Sequence, residues 1–173
     1  MPRNIEIKAR INSVEALLPI AIRVAGGEPL LIDQDDTFFN VPHGRLKLRQ
    51  FADGSAELIH YQRADSGAAK ASDYVRVPVA DPAALRQALA RACGQRGRVR
   101  KQRWLLLAGA TRIHVDRVEN LGDFMELEVV LQQGQSDADG ARLADNMMQA
   151  LGLAAAPRVA GAYLDLLPAP PAT

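Results

Sequence analysis

With 173 residues, 48% of them apolar and 24% charged, the chain can bury a core without staples and is too apolar for a disordered segment. Its 21 Lys and Arg against 20 Asp and Glu leave a formal charge of +1, so no general attraction to nucleic acid or anionic lipid is expected and any anion site must be local. Its one cysteine, Cys93, excludes an internal disulfide, no run approaches the roughly 18 apolar residues of a membrane helix, and none follows Met1-Pro2-Arg3-Asn4, so the expected setting is reduced and cytoplasmic.

In chain order, residues 4–11 set polar Asn4, Glu6, Lys8 and Arg10 against apolar Ile5, Ile7 and Ala9, the period of a strand with one ionic face. Asn12 can then cap a helix with Glu15 as its capping-box acid, ending near Gly26-Gly27, and Pro19 inside it predicts a break or kink. Strands follow at 30–41, 45–51, 56–63 and 73–79, with Asp53-Gly54 as one turn and residues 64–71, which include Lys70, as a loop that closes over one end. Asp81 and Pro82 open a second helix carrying Leu85 and Leu89, which stops at Gly94 and holds Cys93 as a small core residue. Three more strands, 98–108, 111–118 and 123–132, turn at Ala108-Gly109-Ala110 and elsewhere, and Ser136 with Asp139 boxes a third helix through Leu143, Met147, Met148 and Leu151 to Gly152. Beyond it Tyr163, Leu164, Leu166 and Leu167 pack on the body, and residues 168–173 form a mobile tail. Eight strands at hairpin spacing predict an α+β fold: an eight-stranded antiparallel barrel with helices packed outside.

The charged faces sort by sign. Arg45, Lys47 and Arg49 share one side of a strand, Lys101 and Arg103 one side of another, and Glu126 and Glu128 alternate with Met125, Leu127 and Val129. Arg112, His114 and Asp116 lie together opposite Ile113 and Val115. Any one such face could simply meet solvent. The apolar faces, however, need cover, and three amphipathic helices can supply it from outside, which turns the ionic faces inward. Acids and bases on separate walls then neutralise one another and a ligand. Glu6, Glu126 and Glu128 offer the oxygens that Mg²⁺ or Mn²⁺ prefers, while Lys47, Arg49, Lys101 and Arg103 offer polyphosphate donors. A metal triphosphate satisfies both walls. No base-reading constellation is visible, since Phe38, Phe39, Phe51 and Tyr74 each read as packing, and this favours a small triphosphate such as inorganic tripolyphosphate. His43 and His60 read as surface residues, and Glu119 and Asp123 as turn or solvent residues.

The N-terminal x-x-E-x-K, the L-K-L-R and V-x-K-x-R strands and H-V-D-R-V-E-N-L-G-D-F-M-E-L-E together resemble the CYTH superfamily, the triphosphate tunnel metalloenzymes, from Asn4 to the Y-L-D-L-L ending at Leu167. Among its members the wording is most similar to bacterial proteins labelled class IV adenylate cyclase. The resemblance implies one tunnel domain over 1–167 in which Glu6, Glu126 and Glu128 bind Mg²⁺ or Mn²⁺, with Asp116 as a further ligand or a group supporting one. It implies Lys8, Lys47, Arg49, Lys101 and Arg103 on the phosphates, joined by Arg63 and Arg112, with Lys8, Arg49 and Arg103 as the catalytic cations. Two positions depart from the pattern: E-x-E-x-K begins here with Asn4, a neutral donor, and Tyr61 stands where a basic residue is often found. The implied partner is a small triphosphate, with neither nucleic acid nor membrane involved, and a homodimer is compatible with apolar residues on the helices. Its chemistry would be hydrolysis of tripolyphosphate, a nucleoside triphosphate or thiamine triphosphate, or cyclisation of ATP. A polyphosphate- or nucleotide-binding module without turnover is the alternative, with Asn4 as its best support. A carrier of apolar ligands is disfavoured by the ionic lumen.

Overall fold

In the computed structural model, which describes residues 3–63 and 70–168, eight antiparallel strands close on themselves. The elements are β1 (Arg3–Arg10), α1 (Val14–Ala25), β2 (Leu30–Phe39), β3 (Arg45–Phe51), β4 (Ala56–Arg63), β5 (Lys70–Pro78), α2 (Pro82–Cys93), β6 (Gln95–Ala108), β7 (Thr111–Val118), β8 (Gly122–Val130), α3 (Asp137–Ala150) and α4 (Tyr163–Leu166). Around the barrel the order is β1-β5-β4-β3-β2-β6-β7-β8, with β8 paired back onto β1. The expected barrel is therefore present, and its strands differ from expectation only at their ends. β6, for example, begins at Gln95, directly after the Gly94 cap of α2, because it must reach both β2 and β7.

Strand alternation decides which side each residue serves. Ile5, Ile7, Ala9, Ile113, Val115, Met125, Leu127 and Val129 point outward and are buried under α1 and α3 with Leu17, Ala21, Ala144, Met148 and Leu151. Gly140 lets α3 approach, since a Cβ there would sit 2.5 Å from the Ile5 side chain. Phe39, Leu48 and Ala56 are covered by Leu85, Leu89 and Cys93 of α2. A third cluster, Phe38, Val99, Val118, Phe124 and Tyr163, packs with Leu164 and Leu167 and brings the C-terminal segment against the barrel. The helices cover the outside, as the sequence implied, and the ionic faces are inside.

Four local expectations change. Ser13, not Asn12, caps α1, its Oγ accepting from the Ala16 N–H at 3.1 Å. α1 runs through Pro19 unbroken: Pro19 and Glu15 are both exposed, so the carbonyl that loses its donor faces water. Asp123 is no mere turn residue, for it accepts from the Val14 N–H at 2.8 Å and ties the start of α1 to β8. Leu143, expected in the core, is 42% exposed. Asp81 with Pro82, and Ser136 with Asp139, open α2 and α3 as read from sequence. Among the described residues no helix is long and apolar enough to cross a membrane. The loop 64–69, the side chains of Arg63 and Lys70, and the tail from 169 onward lie outside the described residues.

Candidate active site

The inward faces of these strands meet around a water-accessible cavity of about 140 Å³. Glu6 and Lys8 come from β1, Lys47 and Arg49 from β3, Lys101 and Arg103 from β6, Arg112 from β7, and Glu126 and Glu128 from β8, so the structure brings nearly every expected site residue to one space. Asp116 lies just beneath the lining. Arg45 shares the Lys47 side of its strand but pairs with Asp165 of α4 at 2.8 Å.

Arg103 anchors one wall. Its Nε and Nη2 donate to the two oxygens of Asp116 at 2.7 and 2.6 Å, and Nη2 also reaches Glu126 Oε2 at 3.0 Å. Lys101 Nζ stands 3.7 Å from Asp116, and Lys8 Nζ stands 4.0 Å from Glu126 while donating to the Gly161 carbonyl at 3.3 Å. Tyr163 donates its hydroxyl to Asp116 Oδ2 at 2.8 Å. Burial by itself would raise the Asp116 pKa, but Arg103 and Lys101 outweigh it and hold the carboxyl well below the usual range. Both oxygens of Asp116 are taken, by Arg103 and Tyr163, and the residue has no exposed surface.

A second wall centres on Asp36, which sequence reasoning missed. Lys47 Nζ donates to Asp36 Oδ2 at 2.8 Å, and Arg49 forks onto both its oxygens at 2.7 and 2.8 Å. Burial and then neighbouring Arg49 push Lys47 down to about 8, against the pull of Asp36. Asp36 could be found only through register: it stands opposite Arg49, on the same face as Phe38, whereas Asp33 and Asp35 face outward.

The third wall is acidic. Glu6 and Glu128 are direct cross-strand partners on β1 and β8, an arrangement of like charges that costs stability unless cations join it. Arg112 Nη1 is 3.2 Å from Glu128 and His114 Nδ1 is 3.8 Å from it. Burial, and then Arg103, lower the His114 pKa to about 4, so the ring is neutral at pH 7, and Nδ1 has no hydrogen-bond partner. The buried Asn4 Oδ1 likewise has none. Among the described residues no three Asp, Glu, His or Cys converge as a ready metal cluster. The donor chemistry nevertheless fits a hard cation: carboxylates and an orphaned amide oxygen face one space, and Mg²⁺ commonly takes one or two carboxylates and completes its shell with phosphate oxygens and water.

Exposure marks the mouth. Arg76 and Arg112 side chains are 50% and 36% exposed, against 4% for Lys8, 5% for Lys101 and 7% for Arg103. Near it Tyr61 and Tyr74 are direct partners on β4 and β5, and the Arg76 guanidinium lies 5.7 Å from the Tyr74 ring. Tyr74 and Phe38, expected only to pack, line the cavity, while Phe39 is in the core under α2.

The family model of the CYTH domain matches residues 2–163. No curated protein sequence matches the chain. A solved structure of a Pyrococcus horikoshii protein is similar at a TM-score of 0.83 and 22% identity, covering 95% of this chain and 99% of its own. A candidate adenylate cyclase of Vibrio parahaemolyticus is similar at 0.77 and 16%, covering 94% and 96%. An RNA triphosphatase of Schizosaccharomyces pombe is similar at 0.50 and 12%, covering 88% and 79%. At these identities the three share the fold.

Proposed function

Since the chain belongs to the CYTH family, we propose that its tunnel binds the triphosphate of a small substrate and, with Mg²⁺ or Mn²⁺, promotes cleavage of one P–O bond. The observation that carries this reading is five cations, Lys8, Lys47, Arg49, Lys101 and Arg103, facing one cavity from two walls while Glu6, Glu126 and Glu128 face it from the third. A triphosphate with its metal is the ligand that complements both signs. Arg49 and Arg103 are held by bidentate bonds to Asp36 and Asp116, so they meet the developing phosphoryl charge without reorganising, and catalysis is chiefly positioning and charge stabilisation. Lys8 supports the same charge from β1, and Arg112 serves the outer phosphate. Glu6, Glu126 and Glu128 would hold the cation, with Asn4 as a weaker donor. When bound, that cation supplies Lewis acidity at a phosphoryl oxygen.

Two reactions use this arrangement. In hydrolysis, water attacks the terminal phosphorus and its bond to the bridging oxygen breaks, releasing orthophosphate. In cyclisation, the ribose 3′-hydroxyl of ATP attacks the α-phosphorus and pyrophosphate leaves. Tyr61 and Tyr74 beside Arg76 offer an aromatic and cationic patch near the mouth, which supports a substrate with an aromatic headgroup over inorganic tripolyphosphate. A cytoplasmic setting accords with such a substrate.

The test is incubation of purified protein with Mg²⁺ or Mn²⁺ and, separately, ATP, thiamine triphosphate and tripolyphosphate, with products resolved by chromatography. Cyclic AMP with pyrophosphate establishes a cyclase, and orthophosphate a phosphohydrolase. Ligand-induced thermal stabilisation with no product from any substrate overturns the enzymatic reading in favour of a binding module.

A further inference from the structure

We infer that Tyr163 is a positioning residue of this site: carried into the barrel by the C-terminal segment, its ring sets the ammonium groups of Lys8 and Lys101 and its hydroxyl holds Asp116 against Arg103. This rests on the triphosphate reading above.

The phenol is 5% exposed, and both its ring and its hydroxyl meet site residues. Lys8 Nζ lies 4.2 Å from the ring centroid and Lys101 Nζ 4.9 Å from it, although the two lysines come from β1 and β6. Phe124 packs edge-on at 4.9 Å and 61° and fixes the ring plane. The hydroxyl donates to the same Asp116 oxygen that takes Arg103 Nη2.

A residue chosen only to fill the barrel end would not be placed against two ammonium groups with a hydroxyl aimed at a buried carboxylate. Lysine is a point charge on a flexible stem, and an aromatic face attracts it without neutralising it, so the charge stays available to a phosphate. A carboxylate in that place would compete with the ligand.

The backbone that delivers Tyr163 is itself anchored for accuracy. The Val159 N–H donates to the Lys8 carbonyl at 2.9 Å and the Arg10 N–H to the Pro157 carbonyl at 3.0 Å, so the segment is registered against the strand that carries Lys8. Asp165 accepts from Arg45 at 2.8 Å, from Arg96 at 2.7 Å and from the Ala162 N–H at 2.9 Å. Gly97 leaves the space that Leu164 occupies.

Tyr163→Phe and Tyr163→Leu separate the ring from the hydroxyl. Binding is read by titration calorimetry with tripolyphosphate in metal-free buffer, turnover with whichever triphosphate the wild type consumes, and folding by melting temperature. Tyr163→Leu is expected to weaken tripolyphosphate binding by about 10-fold, from loss of the ring beneath two ammonium groups. Tyr163→Phe is expected to restore affinity to within about 3-fold of wild type while kcat stays down by about 10-fold, because Asp116 and Arg103 have lost a restraint. Variants equal to wild type in both readouts overturn the inference alone. So does a loss of affinity in Tyr163→Phe as large as in Tyr163→Leu, and if the leucine variant fails to fold, an unchanged kcat in the phenylalanine variant decides against it. A wild type that neither binds nor consumes any triphosphate overturns this inference and the proposed function together.

Discussion

Two carboxylates organise the basic side of the tunnel, and they are built differently. Asp36 and Asp116 are each buried at 2% exposure or less, and each receives the forked Nε and Nη2 of an arginine. Arg103, however, has Glu126 as a second acid and Tyr163 as a neighbour on Asp116, whereas Lys47 and Arg49 both lean on Asp36. Their side chains also keep 13% and 12% exposure, against 5% and 7% for Lys101 and Arg103. Two cations sharing one carboxylate at the cavity wall hold charge in reserve for an anion, and the cost shows in Lys47, pushed down to about 8 by burial and Arg49. Under the proposed function, the Asp116 cluster would fix geometry and the Asp36 cluster would supply attraction.

That contrast is tested most strongly by removing each carboxylate. Asp116→Ala strands Arg103 and Lys101 deep in the barrel and should cost about 3–5 kcal/mol in urea unfolding. Asp36→Ala should cost a comparable amount in anion-free buffer, but tripolyphosphate should restore much of it, because phosphate can take the place of the carboxylate between Lys47 and Arg49. Equal rescue of both variants, or of neither, would erase the distinction. Next in size is Arg49→Lys, which keeps the charge but not the fork. Turnover should fall about 100-fold, worth about 2.7 kcal/mol, with little change in stability. A loss of stability matching the loss of rate would make Arg49 structural.

Lys47 gives a pH test whose two signs oppose each other. Its folded pKa, about 8, lies below the ordinary value of about 10.4, so between those pH values the unfolded chain binds more protons than the folded one and stability rises with pH. Over the same range the ammonium proposed to hold phosphate is lost, so tripolyphosphate affinity should fall. Lys101, lowered by burial and Arg103, contributes in the same direction. Lys47→Arg should move the alkaline loss of affinity upward, and identical binding profiles for the variant and wild type would show that Lys47 does not titrate at the site.

Much of this was legible in the sequence because it is local. Asn4, Glu6 and Lys8 alternate with apolar neighbours, as do Glu126 and Glu128, and a period of two assigns their face once the helices are known to cover the other. What escaped depends on contacts between distant segments. Asp36 sits in D-Q-D-D-T, where neighbouring acids hide which one points inward until pairing with Arg49 settles it. Tyr163 lies in a short leucine-rich stretch that reads as packing, and only the return of the chain past Lys8 gives it a chemical setting. Asn12 and Ser13 are both competent caps, and local sequence does not rank them.

The mouth provides the smallest and most selective effect. Tyr74 is opposite Tyr61, beside Arg76 and in reach of Arg112 at the mouth, so its ring is placed for a headgroup while its hydroxyl steadies a cation proposed for the outer phosphate. Tyr74→Leu should raise KM for ATP by about 5-fold, close to 1 kcal/mol of lost stacking, while lowering tripolyphosphate affinity by clearly less, through the lost hydroxyl partner of Arg112. That separation follows from the polarity of the site: an inorganic chain gains nothing from an aromatic ring, and a nucleotide does. Should tripolyphosphate binding weaken by the same factor, Tyr74 is shaping the cavity through its partner strand, and the headgroup must be sought elsewhere along the rim.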